Sequence, residues 1–280
     1  MSNKLDFPWR TYTEEELYKE YERLKTKIIS ECVSKDKHIP FSTIGFKCTN
    51  CFFQYERMNT PGIGRPSTID YWKKSRKTVV KFSNRENRDY FSTLNYFNHT
   101  PSQFPIVSAA KIYKYFGATK IFDPYAGWGD RCLAAMACDI NYIGVDKNKE
   151  LKEPYKKLIK FYPHNCDIKI KINKSENVDI DSLDFDFVLS SPPFWKEKGK
   201  MLERYNDIEI DYNTFMEESL IPVMKKLAKH NTWVCLYIPN YMYKHLTEIF
   251  GECHKLLLFK TNRTTVSDLY CWKFNTNAHK

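Results

Sequence analysis

No stretch of the 280-residue chain approaches the roughly twenty apolar residues that a bilayer-crossing helix needs, so no membrane partner is expected. Internal repeats and low-complexity linkers are not evident either, which argues against solenoid and disordered architectures. A signal sequence is missing, and nine cysteines without one predict free thiols in an intracellular, reducing compartment, cytoplasm or nucleus. What is present is 42% hydrophobic and 16% aromatic residues, ample for one large core and a smaller appendage. The net charge of +10 points to a polyanionic partner. An AT-rich coding sequence also enriches lysine, asparagine and isoleucine, so charge alone carries little of the argument.

Two motifs carry more. Thr119-Lys-Ile-Phe122 is a short β-prone run, ended by Asp123-Pro124 because proline disfavours helical geometry in the residue before it. Tyr125-Ala-Gly-Trp-Gly129 follows, in which Gly127 and Gly129 permit positive φ and lack Cβ atoms, so that a ligand can lie against the backbone. Arg131 to Cys138 opens a helix behind the turn. Strand, glycine turn and helix form the unit that carries nucleotide ligands at the carboxyl ends of parallel strands. The next strand, Asn141-Tyr-Ile-Gly-Val145, ends on Asp146, placed to accept hydrogen bonds from two ribose hydroxyls. The third glycine of a dinucleotide G-x-G-x-x-G is lacking, with Cys132 in its place, and the compact turn suits adenosine without a pyrophosphate.

The second motif is Ser191-Pro-Pro-Phe194, at the end of the buried-strand run Phe185-Asp-Phe-Val-Leu-Ser190. Pro192 and Pro193 lock the backbone into an extended shape without amide donors, leaving acceptors. The Ser191 hydroxyl and the Pro192 carbonyl can take hydrogen bonds from both hydrogens of an exocyclic amine, and Phe194, with Trp195 beside it, offers a ring face for a base. A base inside a duplex cannot present its amine in this way; it must be single-stranded or flipped out.

These motifs resemble those of the S-adenosylmethionine-dependent amino-methyltransferases of nucleic acids, which methylate cytosine at N4 or adenine at N6. The family's D-P-F-x-G-x-G-like and [DNS]-P-P-[YFW] motifs match residues 123 to 129 and 191 to 194. His99-Thr-Pro-Ser-Gln-Phe-Pro105 is similar to the segment that closes over the methionine end of the cofactor, and the resemblance spans residues about 97 to 275. Trp128 and Asp130-Arg131 depart from it, standing where many members have smaller residues. The resemblance implies S-adenosyl-L-methionine as cofactor, bound by Asp123, Pro124, Tyr125, Gly127, Gly129, Asp146, Phe104 and Pro105, with Ser191, Pro192, Pro193 and Phe194 catalytic. It implies an α/β fold: a class I methyltransferase Rossmann-like doubly wound sheet, mostly parallel, with an antiparallel C-terminal hairpin. DNA is the expected substrate and cytosine N4 the first expectation, because serine at 191 is commoner among the N4 enzymes. Adenine N6, an RNA base, and a non-catalytic nucleic-acid-binding subunit stay open. The absence of a Pro-Cys dipeptide near residue 191 argues against carbon-5 methylation.

Strands are expected near 119–123, 141–146, 167–172, 185–190 and 232–238, a helix over 212–229, and a hairpin from 255–259 and 269–274. Residues 96–280 form the methyltransferase domain and 1–95 a helical and loop-rich extension that supplies target recognition. In the extension, Thr13 and Glu16 make a capping-box pattern for a helix to about Cys32, with Leu17, Tyr21, Leu24 and Ile28 on one face. Residues 40 to 70 read as loop-rich. The following run concentrates Lys73, Lys74, Arg76, Lys77 and Lys81 beside Trp72 and Phe82, then Arg85 and Arg88, and these basic residues with Trp195 are the expected nucleic-acid contacts. A solvated helix face reads nearly as well, and nearness to the strand ends would separate the two. The loop from Trp195 to Asp211 is a second recognition candidate. Cys48-Thr-Asn-Cys51 has metal-ligand spacing that Cys32 and His38 can complete, yet Phe46, Phe52 and Phe53 around it favour buried thiols, so no metal is expected.

Overall fold

Alternation of period two decides the sheet. Ile121, Phe187, Leu189, Cys235, Leu269 and Cys271 point to one apolar cluster, while Phe122, Val188, Val234, Leu236, Tyr270 and Trp272, their neighbours in sequence, point to another. A sheet buried on both faces needs helices on both, and the chain supplies them. The computed structural model describes residues 7–30, 38–39, 41–61, 66–98, 100–193, 195–196, 200–201, 211–260 and 266–275.

In chain order the elements are α1 (Glu14–Ser30), β1 (His38–Ile39), α2 (Phe46–Asn59), α3 (Thr68–Glu86), α4 (Tyr90–Asn98), α5 (Ile106–Phe116), β2 (Lys120–Asp123), α6 (Asp130–Ala137), β3 (Asn141–Asp146), α7 (Lys152–Phe161), β4 (Ile168–Ile172), β5 (Phe187–Ser190), β6 (Trp195–Lys196) and β7 (Lys200–Met201). Then come α8 (Tyr212–Phe215), a π-helical turn (Met216–Leu220), α9 (Ile221–Leu227), β8 (Trp233–Tyr237), α10 (Asn240–Phe250), β9 (Lys255–Lys260) and β10 (Val266–Lys273).

The main sheet runs β1-β9-β10-β8-β5-β2-β3-β4. Strands β4, β3, β2, β5 and β8 are parallel, and β10 is antiparallel to both β8 and β9. Setting aside the two-residue β1, these seven strands have the order and directions of the class I methyltransferase fold, doubly wound with an antiparallel hairpin at the C-terminal side. From β2 the chain winds outward through β3 to β4, then returns to place β5 on the other side of β2. The switch point therefore lies between β2 and β5, where open α/β sheets bind ligands at the strands' carboxyl ends.

The capping box forms as the sequence predicts: the Thr13 amide donates to Glu16 (2.8 Å) and the Glu16 amide to the Thr13 hydroxyl (3.2 Å). Leu17, Tyr21, Leu24 and Ile28 are all buried, and they join the same apolar cluster as α5, α6 and α7, so the core runs continuously across residue 95. Residues 46–59 are not loop but helix. They hold no glycine or proline, Gly45 before them takes the left-handed φ of +93°, and its amide donates to buried Glu20 (2.9 Å). The burial of Cys48, Phe53 and Met58 stabilises a segment whose sequence lacks a clean helical stripe.

Candidate functional site

Asp123 ends β2 with its carboxylate fully buried, and donors from four neighbouring elements converge on it. Arg131 donates to it through Nε (2.6 Å) and Nη2 (3.3 Å), Tyr142 through its hydroxyl (2.7 Å) and Ser190 through its hydroxyl (2.6 Å). The Tyr125 amide donates to Asp123 (3.3 Å) and to the Ser190 hydroxyl (3.1 Å). The donors come from α6, β3, β5 and the turn, so one carboxylate joins the glycine turn to the strand that carries Ser191. Burial would lower the Arg131 pKa, but the Asp123 charge outweighs it and holds the guanidinium protonated. These partners occupy the Asp123 side chain inside the protein, where it orders the turn. Nothing in the sequence marks Arg131, Tyr142 and Ser190 as partners of Asp123, except that Arg131 stands where many members of the resembling family have smaller residues.

The turn itself divides between its two glycines. Gly127 (φ +63°) donates its amide to Asp146 (2.9 Å) and accepts from the Tyr155 hydroxyl (3.0 Å). Among the described residues, the only atom within reach of a Cβ built there is the Tyr125 carbonyl oxygen at 4.0 Å, so the backbone faces open space. Gly129 (φ +78°) differs, because a Cβ there would lie 2.7 Å from the Phe53 ring. Its missing side chain makes room for the Phe53 ring of α2.

Asp146, at the end of β3, accepts one backbone amide on each oxygen, from Gly127 and from Asn148 (both 2.9 Å). Burial pushes its pKa up to about 6 in spite of those two amides. Each oxygen keeps acceptor capacity. Pro124 is buried, and its carbonyl accepts from the Ser175 hydroxyl. The Tyr125 hydroxyl reaches Ser219 (3.1 Å) in the π-helical turn, and Ser219 in turn donates to Glu176 (2.9 Å).

The segment ahead of α5 is drawn to the same end of the sheet. Asp130, buried at the first position of α6, accepts from the Thr49 hydroxyl (2.7 Å), the Gln103 side chain (3.1 Å) and the Phe104 amide (3.0 Å). Burial pushes its pKa up to about 6, against those hydrogen bonds and the nearby Arg57 charge. Arg57, also buried, donates to the Pro101 carbonyl (2.8 Å). Phe104 lies under the Arg131 guanidinium (5.0 Å) and edge-on to Tyr237 at the end of β8 (6.0 Å), and Pro105 leads into α5. The structure thus brings Phe104 and Pro105 beside the glycine turn; His99 lies outside the described residues.

Ser191 and Pro193 are half-buried and Pro192 buried, immediately beyond β5 at the switch point. Phe194 lies outside the described residues. Trp195 opens β6, which pairs antiparallel with β7 (Trp195 opposite Met201), a short hairpin directly after the motif. The basic residues lie on α3 and just beyond it: Lys73, Lys74, Lys77, Arg85 and Arg88 are exposed and Arg76 half-buried. Lys73 pairs with Asp70 (3.1 Å) and Arg85 with Glu86 (2.8 Å). Trp72 is buried and belongs to the core of the α3–α4 pair rather than to a binding face. Cys48 is buried with its thiol against the Leu17 carbonyl (3.8 Å), and Cys51 is half-buried. Cys32 and the His38 side chain lie outside the described residues, and among the described residues no group of three or more His, Cys, Asp or Glu is placed to hold a metal.

No protein-family model matches the sequence, and no curated protein matches it. Solved structures resemble its fold. The hMettl16 catalytic domain, in complex with MAT2A 3′UTR hairpin 6, is 14% identical with a TM-score of 0.46 over 62% of this chain and 72% of its own. The Pyrococcus abyssi tRNA (uracil-54, C5)-methyltransferase, in complex with S-adenosyl-L-homocysteine, is 14% identical with a TM-score of 0.44 over 61% of this chain and 40% of its own. Magnesium protoporphyrin IX methyltransferase from Synechocystis, with bound SAM, is 12% identical with a TM-score of 0.42 over 61% and 78%. At such identities and scores the fold assignment rests on the strand order of this chain itself.

Proposed function

We propose that this protein is an S-adenosylmethionine-dependent methyltransferase acting on the exocyclic amine of an unpaired nucleic-acid base. One observation carries the reading: the open backbone at Gly127 with Asp146 stands on one side of the switch point, and Ser191-Pro192 stands across it, the two held together through Asp123. The site fits the cofactor, since Asp146 retains acceptor capacity for ribose hydroxyls and Gly127 presents a surface that a Cβ would fill. Phe104 and Pro105 would flank it. When bound, S-adenosylmethionine supplies a methyl group on a positively charged sulfur. Ser191 and the Pro192 carbonyl accept the two amine hydrogens and so direct the nitrogen lone pair, Phe194 stacks the base, and Pro193 keeps the acceptors rigid. The amine loses its proton after attack, and no protein nucleophile is required. Serine at 191 makes cytosine N4 in DNA the first target to test; adenine N6 or an RNA base offers the same pair of N–H donors.

Nucleoside mass spectrometry of DNA and RNA incubated with the protein and labelled cofactor identifies the base. Ser191→Ala should lower the rate by roughly one to two orders of magnitude, since one hydrogen bond to the amine is lost, while cofactor affinity stays near wild type. Ser191→Asp keeps an acceptor and should retain more activity than Ala. A wild-type protein that binds cofactor but methylates neither nucleic acid would refute the enzyme reading, and a silent Ser191→Ala would move the chemistry elsewhere.

Asp146 gives a second measurement. Asp146→Ala should weaken S-adenosylmethionine by about 1–3 kcal/mol in calorimetry. The carboxylate is the better acceptor when ionised, and its pKa stands at about 6. Affinity in the wild type should therefore hold from pH 8 down to about 6 and fall below it as the acid form takes over. Asp146→Ala should flatten that fall, and an unchanged pH profile would assign it to another group, Asp130 first.

A further inference from the structure

The helix pair α3–α4 carries aromatic residues on two sides. One side is core: Trp72, Val79 and Leu94 are buried together, with Phe7 edge-on to Trp72 at 6.3 Å. On the other, Phe82 of α3 and Tyr96 of α4 stack with ring centroids 5.6 Å apart and planes 13° from parallel. Phe97 packs edge-on to both, at 5.0 and 5.3 Å. Tyr96 remains 58% exposed, a large aromatic surface that the fold does not bury. The Arg88 guanidinium lies over the Tyr96 ring, 5.7 Å from its centre, and that of Arg85, paired with Glu86, lies over Phe82 at 5.1 Å. Lys74, Lys77 and Lys81 are exposed along α3, and residues 68–98 contain seven basic and three acidic side chains.

An exposed tyrosine stacked on a half-buried phenylalanine, with a guanidinium group at each ring and a surface of net positive charge around them, has the chemistry that single-stranded nucleic acids are bound by: bases on π-faces and phosphates on cations. A solvated helix face needs the lysines but gives no reason for an exposed tyrosine pre-stacked on Phe82 with an arginine at its ring. The chain also connects this surface to the site, for α4 leads directly into the segment whose Gln103 and Phe104 are fixed to Asp130. We infer that the Tyr96–Phe82 stack is a platform for an unpaired base of a single-stranded nucleic acid, with Arg88 placed for its phosphates. This rests on the nucleic-acid reading above and adds that the bound strand is single over this surface.

The test uses the full chain and labelled short pyrimidine oligonucleotides, DNA and RNA, each as single strand and as duplex, with affinity read by fluorescence anisotropy. Tyr96→Ala should weaken single-strand binding by about 5- to 150-fold and leave duplex binding unchanged, since only an unpaired base can stack. Tyr96→Phe, which keeps the ring, should bind as wild type does. Changing Lys74, Lys77 and Lys81 together to Ala should instead reduce the salt dependence for single strand and duplex alike. Wild-type binding to single strands with a silent Tyr96→Ala, or equal losses for single strand and duplex, would overturn the platform alone. A wild-type protein that binds none of the four probes would overturn the nucleic-acid reading with it.

Discussion

Asp123→Asn should destabilise the protein by about 3–5 kcal/mol, the cost of leaving a buried guanidinium without its counter-charge. The asparagine would also turn an NH2 group toward at least one of the donors that now converge on the carboxylate from Arg131, Tyr142 and Ser190. In a protein of this size the loss lowers the melting temperature by roughly 10 °C, measurable by calorimetry without cofactor. Arg131→Met alone strands the carboxylate and should cost a similar amount. The double variant removes both charges, so its cost should fall short of the sum of the two. A single-variant loss below about 1 kcal/mol would mean that the pair is solvated, and the account of this hub would be wrong. Because the same carboxylate holds the Tyr125 amide and Ser190, Asp123→Asn at a temperature where it stays folded should weaken cofactor binding and lower turnover together. Ser191→Ala should affect turnover alone, and this difference separates a positioning residue from one that touches substrate.

How much of this was legible in the sequence depends on where the determining contacts lie. The strand ends were readable because each depends on its own neighbours: β-prone residues up to Asp123, an Asp-Pro stop, and alternation through Asn141–Asp146. The expected strand and glycine turn meet the structure within a residue or so, and alternation with helices predicts the parallel sheet, while its strand order was expected only from the family resemblance. The hub was not readable. Arg131 in sequence is a charged residue opening a helix, ordinarily a solvated position; it is buried because Asp123, Tyr142 and Ser190 arrive from three adjacent strands. Helix α2 was missed for the same reason. Its burial of Cys48 and Phe53 is decided by α1 and α7, and the Cys-x-x-Cys spacing drew attention to metal chemistry instead. Tyr96 was hidden because an exposed aromatic residue has no signature apart from its surface.

The two glycines of the turn should separate fold from function most sharply. Gly129→Ala places a Cβ 2.7 Å from the Phe53 ring at a φ of +78°. The left-handed conformation costs an alanine about 1–2 kcal/mol, and overpacking a closed core adds about 1–3, so the expected loss of stability is about 2–5 kcal/mol. Phe53→Ala by itself should cost about 3–5 kcal/mol through the cavity it leaves. Together they should cost less than the sum, since the cavity accepts the new methyl group and Gly129→Ala then adds little beyond its φ penalty to the cost of Phe53→Ala. Gly127→Ala is the contrast. Its φ of +63° exacts a similar conformational cost, but among the described residues nothing lies closer to the new Cβ than the Tyr125 carbonyl oxygen at 4.0 Å. The methyl group would project into the space assigned to the cofactor, so S-adenosylmethionine affinity should fall at least about tenfold, a loss of roughly 1.4 kcal/mol, while the melting temperature drops less than in Gly129→Ala. Calorimetric binding and thermal unfolding of the four variants give both quantities. If Gly127→Ala binds the cofactor as the wild type does, the ligand does not approach the turn at Gly127, and the site must be sought along Asp146 and the residues that follow it.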